Sequence, residues 1–349
     1  MLGCFSLSLK NPGNFLEVGR ILRKKPGPDE VLIMIYFVGL GRYDIHKMNN
    51  DWDDTNFPLT PGIELVGLVD EVGSNVFNLS KLDYVLVGNF IDSIDIDGKL
   101  ELLGISDCIN TKTDDNNFKI TKGALSQVIS VNKKFVIKLP NTNGLPLTRV
   151  VPLASTGLAS FSALKKYMKK NSKVIIMGLG GIGHIAVKLV IEMGGIVDVI
   201  SSTEEKRFMA LYDLLVNSFF NSNDMENNNL EENSYDLIID TLPVDHNLDN
   251  YLKLLKDDGK YILLGTPKYK SMIDNSIEKN NRVEIIKSFS GTINELWELI
   301  KFCGDKGILA DVKTIEYSEV NEAISKILNK EAYFKYVVDT TSFQKINHN

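Results

Sequence analysis

Two groups of residues have types and spacings that could do chemistry. Gly178-Leu179-Gly180-Gly181-Ile182-Gly183 fits GxGxxG, directly after the apolar run KVIIM and directly before HIAVKLVIEMG. In that setting the first glycine permits a tight turn, the second lets backbone approach a pyrophosphate, and the third lets helix and strand pack closely. The helix N-terminus adds free amides and partial positive charge for the phosphates. The alternative is a structural turn with no ligand; the strand–turn–helix setting favours dinucleotide binding. The second group selects the dinucleotide. An NAD site usually ends its next strand on a carboxylate for the ribose hydroxyls. Here VDVIS runs into Ser201-Ser202-Thr203, with Lys206 and Arg207 close behind. Hydroxyls and cations suit a 2′-phosphate, so NADPH is the expected cofactor. Glu204 and Glu205 fall in a helical first turn, where they are free to point outward. The alternative is a hydroxyl-capped helix with an exposed charged face.

Soft ligands are scarce. The three cysteines, Cys4, Cys108 and Cys303, form no CxxC pair, and the four histidines, His46, His184, His246 and His348, are scattered. Such a set fits reduced cytoplasmic thiols better than a disulfide framework. Net charge is -6 and no large basic block occurs, which argues against nucleic acid or anionic membrane as a partner. No apolar run approaches the roughly 20 residues of a membrane helix. The opening MLGCFSLSLKNPG has an apolar patch with no basic region before it, and does not read as a signal peptide.

The elements that must position these residues fall into two patterns. VLIMIYFV, ELVGLVDEV, DYVLVGNF and KFVIKLP read as short strands broken by Gly and Pro, which suggests a β-rich, partly open barrel over the first 150 residues. Residues 91 to 120 lack periodicity and read as a loop-like excursion. Beyond them, apolar strands alternate with helical stretches: KVIIMG, HIAVKLVIEMG, VDVISS, EEKRFMALYDLLV, DLIIDT, LDNYLKLLKDDG, KYILLG. Alternation of this kind implies a parallel sheet covered on both faces. SNDMENNNLEENS is a surface loop, NELWELIKFCGDKG a last helix, and YFKYVVDT a strand expected to return to the first domain.

PLTPGIELVGLVDEVGSNV, VPLASTGLASFSALKKY, VIIMGLGGIGHIAVKLV, VISSTEEK, YDLIIDTLPVDHNLDNYLKLLKDDGKYILLG and KYVVD, in that order and spacing, resemble the cinnamyl-alcohol-dehydrogenase branch of plant medium-chain dehydrogenases over nearly the whole length. The resemblance implies an α/β fold: a GroES-like β-rich catalytic domain (residues 1–155 and 294–349) plus a Rossmann doubly wound parallel sheet (156–293), in a homodimer. That family holds a catalytic zinc by Cys, His and Cys in CGVCHTD, GHE and PLLCAG. The matching positions here are Gly41, Ile63 and Ser155. Glycine and isoleucine cannot bind zinc and serine is a poor ligand, so no metal is expected. Its four-cysteine structural zinc falls on residues 91 to 110, where only Cys108 remains. Lys335 stands where the family places an arginine, and a Glu64–Lys335 pair is expected.

Without zinc, simple alcohol oxidation lacks its Lewis acid. Hydride transfer still needs only a nicotinamide held against an electrophilic carbon. An iminium already carries positive charge, and its unsaturated form, like an enal, accepts hydride at the far carbon. PGIELVG and PLASTGLASFSA resemble PGMEIVG and PLLSAGITSFSA of zinc-free plant monoterpene indole alkaloid reductases of the dihydroprecondylocarpine acetate synthase type. Their 1,4-reduction of unsaturated iminium substrates is the chemistry the resemblance implies. Tyr43 matches the position of a catalytic Thr; its phenol either donates a proton or fills the emptied zinc cavity. Ser155 either orients substrate or is a small polar filler. Asp44 and His46 either continue a proton relay or form a structural pair. Thr241, Leu242, Ser288, Phe289 and Ser290 match segments that touch the nicotinamide end, largely through backbone. Two other readings stay open: a non-redox cyclase or isomerase using the same pocket, and an inactive binding protein, to which Ala159, in place of a cofactor-contacting Thr, lends weight.

Overall fold

The computed structural model describes residues 1–94, 100–104, 123–140, 146–227, 230–268, 271–287, 290–332 and 334–348. Two compact units form: residues 1–155, 292–297 and 310–349, and residues 156–291 and 298–309.

In the first unit the long strand Glu30–Leu40 is central, because Val31, Ile33, Ile35 and Val38 are all buried. The sheet runs in the order Val312–Glu316, Lys335–Asp339, Glu30–Leu40, Leu65–Val72, Tyr84–Val87, Ile137–Lys138, and Val128–Asn132 also pairs with Glu30–Leu40. The late strand KYVVD does return here, antiparallel to the central strand with Tyr336 opposite Leu40. Continued by one residue, that register sets Lys335 level with Gly41. On the other flank Val38 pairs with Leu65, and the Gly39 amide donates to the Glu64 carbonyl at 3.1 Å. Three separated stretches of sequence therefore meet at one end of one sheet.

The second unit is a six-stranded, all-parallel sheet ordered Ser218–Asn221, Ile196–Ser201, Lys173–Met177, Tyr235–Asp240, Leu255–Leu263, Glu284–Lys287. Numbered along the chain this is 3-2-1-4-5-6, the doubly wound order whose ligand crevice lies where the direction reverses, beyond the carboxyl ends of the first and fourth strands. Val174, Ile175, Ile176 and Met177 are wholly buried, as a strand covered on both faces requires.

Several elements differ from expectation. The segment read as loop-like contains a hairpin, Asn89–Ile94 with Leu100–Gly104. EEKRFMALYDLLV is no regular helix: a 3₁₀ turn at Glu204–Lys206 widens into a π turn at Met209–Asp213, closed by the Leu214 amide on the Met209 carbonyl. The helix expected over LDNYLKLLKDDG stops after Asp249–Leu252, because Leu254 and Leu255 turn into the core and Leu255 already pairs with Tyr235. Ser271–Lys279 is an additional helix whose first amides bond the distant Asp245 carboxylate, so no cap was visible next to it. Within the helix Ile293–Lys306, residues from 298 on group with the second unit, where the expected boundary at 294 had placed none. Phe302 packs on Phe161, Glu298 pairs with Lys165, and Lys306 pairs with Glu192. Among the described residues no helix is long and apolar enough to cross a membrane.

Candidate functional site

The sheet end in the first unit collects four polar side chains. Glu64 is fully buried immediately before its strand. The Lys335 ammonium lies 2.8 Å from Glu64 Oε1, so the expected pair is present; it is an ion pair off the hydrogen-bond axis. The Ser155 hydroxyl donates a short hydrogen bond to Glu64 Oε2. Both carboxylate oxygens are thus engaged, as burial of a charge demands.

Asp44 lies in the helix Arg42–Asn49 and is buried. Its two oxygens accept from the Gly41 amide at 2.9 Å and the Gly62 amide at 3.0 Å. Burial pushes its carboxyl up to about 6, against the lowering pull of Lys335 and the backbone amides. Asp44 therefore braces the two turns that carry Gly41 and Ile63. His46 faces elsewhere, because residues two apart on a helix do not share a face. Its Nδ1 meets Asp51 Oδ2 at 2.7 Å and its ring packs, tilted by 36°, 4.8 Å from that of Trp52. Asp44 and His46 bond different partners, so neither the relay nor the structural pair is formed between them. Among the described residues no group of three or more His, Cys, Asp or Glu is arranged to hold a metal.

Tyr43 packs 5.5 Å from the Trp52 ring, with the Lys47 ammonium 5.5 Å above it and Lys47 paired to Asp54 at 2.6 Å. Burial first, then Asp54 and Asp44, raise its phenol well above the usual value, so it stays protonated.

Gly41 has a neighbour that sequence reasoning did not foresee. A Cβ built there would stand 2.9 Å from the Lys335 ammonium nitrogen. The long side chain of Lys335 fills the space that any side chain at position 41 would need. The only sequence signal is the joint occurrence of Gly41 and Lys335, which becomes readable once the strand register is known.

In the second unit Gly178 ends the first parallel strand at φ +87, the region that favours glycine. A Cβ on Gly183 would meet the Gly178 carbonyl oxygen at 1.9 Å, so the third glycine permits the helix–strand approach. A Cβ on Gly180 would meet nothing within 4 Å. The position is open, as a phosphate approach requires. Gly181 and Ile182 are half-exposed, and no side chain caps the helix Gly183–Glu192. Thr241 closes the loop from the fourth strand: its hydroxyl donates to the Met177 carbonyl at 2.8 Å, and the Leu242 amide donates to Asp240 at 2.9 Å. Both residues sit where the strand order reverses.

Ser201 is buried at the end of the second strand; Ser202 is exposed and Thr203 half-exposed. Lys206 folds back on the glycine loop, its ammonium 2.7 Å from the Leu179 carbonyl, so it lies between the two phosphate-reading segments. Arg207 turns away to Glu204, to the Phe219 carbonyl at 2.8 Å and to the Phe219 ring. Glu204 is thereby held off the strand end, and Lys206 is left as the cation of this group. Ser290 is half-exposed; Ser288 and Phe289 lie outside the described residues, as does Cys108. Cys4 and Cys303 are free, buried thiols.

The family model of the alcohol dehydrogenase GroES-like domain matches residues 27–141, and that of the zinc-binding dehydrogenases matches residues 181–305. Cinnamyl alcohol dehydrogenase 1 of Medicago truncatula is 33% identical over 339 residues, covering 95% of this chain and 94% of its own length. A probable cinnamyl alcohol dehydrogenase 1 of Nicotiana tabacum is also 33% identical over 339 residues, with the same 95% and 94% coverage. Among solved structures, a cinnamyl alcohol dehydrogenase of Sorghum bicolor superposes with a TM-score of 0.86 at 27% identity, covering 97% of this chain and 98% of that one. The Helicobacter pylori enzyme complexed with NADP(H) gives 0.85 at 28% identity, covering 97% and 99%.

The glycine loop and the open helix terminus fit a dinucleotide. The first unit's donor set does not fit the zinc that the second family name implies. Position 41 offers no donor, position 63 an alkyl group, and the nearby carboxylate is already neutralised by an ammonium. With two family models covering both units and full-length relatives at 33% identity, the chain belongs to the medium-chain dehydrogenase/reductase family, alongside the cinnamyl alcohol dehydrogenases.

Proposed function

We propose that this chain is an NADP-dependent oxidoreductase of the alcohol dehydrogenase/reductase type, and more narrowly a zinc-independent reductase. In this reading it uses NADPH to deliver hydride to the far carbon of an unsaturated iminium or enal. The observation that carries it is the Glu64–Lys335–Ser155 cluster lying against Gly41, where the family's ligand positions fall. A cluster with an internal ammonium and no soft donors disfavours a divalent cation. Its substrate must then arrive activated. The alkaloid class of substrate rests on the resemblance carried by PGIELVG and PLASTGLASFSA.

NADPH is supported by Ser201, Ser202, Thr203 and Lys206, and by a full-length relative solved with NADP(H). The Gly178–Gly183 loop would hold the pyrophosphate, and Thr241 and Leu242 would flank the nicotinamide by backbone. When bound, the cofactor supplies the hydride. Tyr43, kept protonated by burial, serves as a hydrogen-bond donor; Asp44 holds Gly41 and Gly62 in place.

The test is a joint measurement on purified protein: metal content, NADPH and NADH titration, and NADPH consumption with an unsaturated iminium. NADPH preferred at least tenfold over NADH, zinc well below one per chain, and turnover support the reading. Stoichiometric zinc at the Gly41 end sinks it. Binding without turnover of any electrophile leaves an inactive binding protein. Product formed without NADPH consumption leaves the cyclase or isomerase.

A further inference from the structure

A cation already resides at the sheet end of the first unit, beside Gly41. A zinc held by a cysteine at position 41 would stand roughly 3 to 3.5 Å from that residue's Cβ, given a Zn–S bond of about 2.3 Å. The Lys335 nitrogen stands 2.9 Å from the corresponding point on Gly41. It is 2.8 Å from Glu64 Oε1, whose other oxygen accepts from Ser155, at the third ligand position. The ammonium therefore lies at about a metal's distance from one lost ligand position, and one carboxylate away from another. An ammonium has three donors. Among the described residues Glu64 is its only ion-pair partner, and that contact lies off the hydrogen-bond axis, so its donors are not spent there. Asp44, the other buried carboxylate nearby, spends both oxygens on backbone amides.

We propose that Lys335 is a catalytic residue, the built-in cation of this cluster. Its ammonium donates a hydrogen bond to the oxygen of an uncharged unsaturated carbonyl substrate while hydride reaches the far carbon. The step balances without a metal. Hydride from NADPH forms the new C–H bond, the C=C π pair shifts, and the carbonyl π pair moves onto oxygen. The resulting enolate oxygen is stabilised by the ammonium, and a solvent proton then adds to the α-carbon. NADPH is oxidised by two electrons and the carbonyl compound reduced by two. A preorganised charged donor aimed at developing negative charge is the largest kind of help a protein gives such a step. The proposal rests on the reductase reading and widens its substrates: an iminium brings its own charge, whereas an enal borrows this one.

The two substrates give the test. Trans-cinnamaldehyde and a preformed dialkyl iminium of the same skeleton are assayed with NADPH on the wild-type protein and on two variants. K335M alone leaves Glu64 charged and unpaired, which endangers folding. E64Q/K335M removes both charges at near-constant shape and keeps an acceptor for Ser155. Thermal melting and NADPH affinity confirm that the variants are folded. The expected result for the double variant is a loss of about 10²-fold in kcat with the aldehyde. With the iminium the change stays within about threefold, and NADPH affinity is unchanged. Equal losses on both substrates, an undiminished aldehyde rate, or a wild-type protein that reduces the iminium but not the aldehyde would each overturn the role of Lys335. A wild-type protein that binds NADPH and reduces neither overturns the reductase reading itself.

Discussion

At the scale of single residues, the first unit's site is a balance of buried charges in which each partner is exposed to the loss of another. Ser155 supplies the hydrogen bond to Glu64 Oε2. In S155A that oxygen loses its donor while remaining buried, which costs about 1–3 kcal/mol. A melting temperature unchanged from wild type would show that the hydroxyl is only a filler. G41A places a methyl group 2.9 Å from the Lys335 nitrogen and must shift a lysine whose charge is committed to Glu64. Its expected cost is about 1–3 kcal/mol, readable by chemical denaturation. Much of this site was legible beforehand. Residue types at positions 41, 63 and 155 exposed the missing ligands, and the Glu64–Lys335 pair followed from complementary charge. What could not be read was the approach of Lys335 to Gly41, since it depends on an antiparallel register between stretches nearly 300 residues apart. The division of labour between Asp44 and His46 was hidden for a related reason. Adjacency in sequence left a relay or a structural pair open, but helix geometry sends one toward Gly62 and the other toward Asp51.

At the scale of elements, the glycine loop separates binding from folding cleanly. Gly183 touches backbone and Gly180 touches nothing, so the two positions answer to different constraints. G183A should weaken both stability and NADPH binding. G180A should leave the melting temperature within a degree or two and still weaken NADPH by about tenfold or more, because only the pyrophosphate needs that space. Fluorescence titration beside a thermal melt checks both; equal effects of G180A on the two would contradict the assignment. The strand Tyr235–Asp240 carries a second device. His246 Nε2 lies 3.1 Å from Asp240 Oδ2, and its Nδ1 lies 2.9 Å from the Val244 carbonyl. Two acceptors facing both ring nitrogens favour the doubly protonated ring. Burial lowers the imidazole pKa, but the Asp240 hydrogen bond and charge, with help from Val244 and Asp245, outweigh it and the net shift is upward. Tyr261 donates to the same Asp240 oxygen at 3.1 Å, and the Tyr251 ring stands edge-on to the imidazole. A group whose pKa is raised on folding stabilises fully below its unfolded value of about 6.5 and loses that contribution as pH rises through the folded value. H246Q should therefore cost about 1 kcal/mol near pH 6 and less near pH 9. A pH-independent difference would contradict the pair. The strands here were readable as apolar runs, whereas the π turn at Met209–Asp213 and the early end of the helix at Leu252 were not. The early helix end is set by Leu254 and Leu255 turning into the core, not by local propensity.

At the scale of the whole molecule, the zinc independence proposed above has a consequence for stability. Three cysteines are available in all. Cys4 is buried in the hairpin Leu2–Ser8 with Glu17–Arg23, and Cys303 in the helix Ile293–Lys306. Neither belongs to residues 91 to 110, where the family's structural zinc falls, so that segment has one thiol and a tetrahedral thiolate site needs more. We propose the same for both zinc positions: the protein's stability does not draw on a metal. Prolonged dialysis against a strong chelator should leave the melting temperature unchanged within about one degree, whereas a protein holding structural zinc would lose binding energy that is also folding energy. NADPH should act oppositely. A ligand that binds only the folded chain stabilises it by about 2.7 kcal/mol at a concentration 100 times its dissociation constant. Running both treatments on one preparation separates the alternatives. A fall in melting temperature on chelation, restored by adding zinc, would mean that residues 91 to 110 or the Gly41 end recruit the metal through donors other than those named here. No rise with NADPH would remove the dinucleotide from the second unit. Light scattering on the same sample tests the homodimer that the family resemblance implies: a mass near twice the 39.0 kDa of one chain supports it, and a mass near one chain contradicts it. Concentration dependence of the melting temperature then follows only in the first case, because subunit association stabilises folding by mass action.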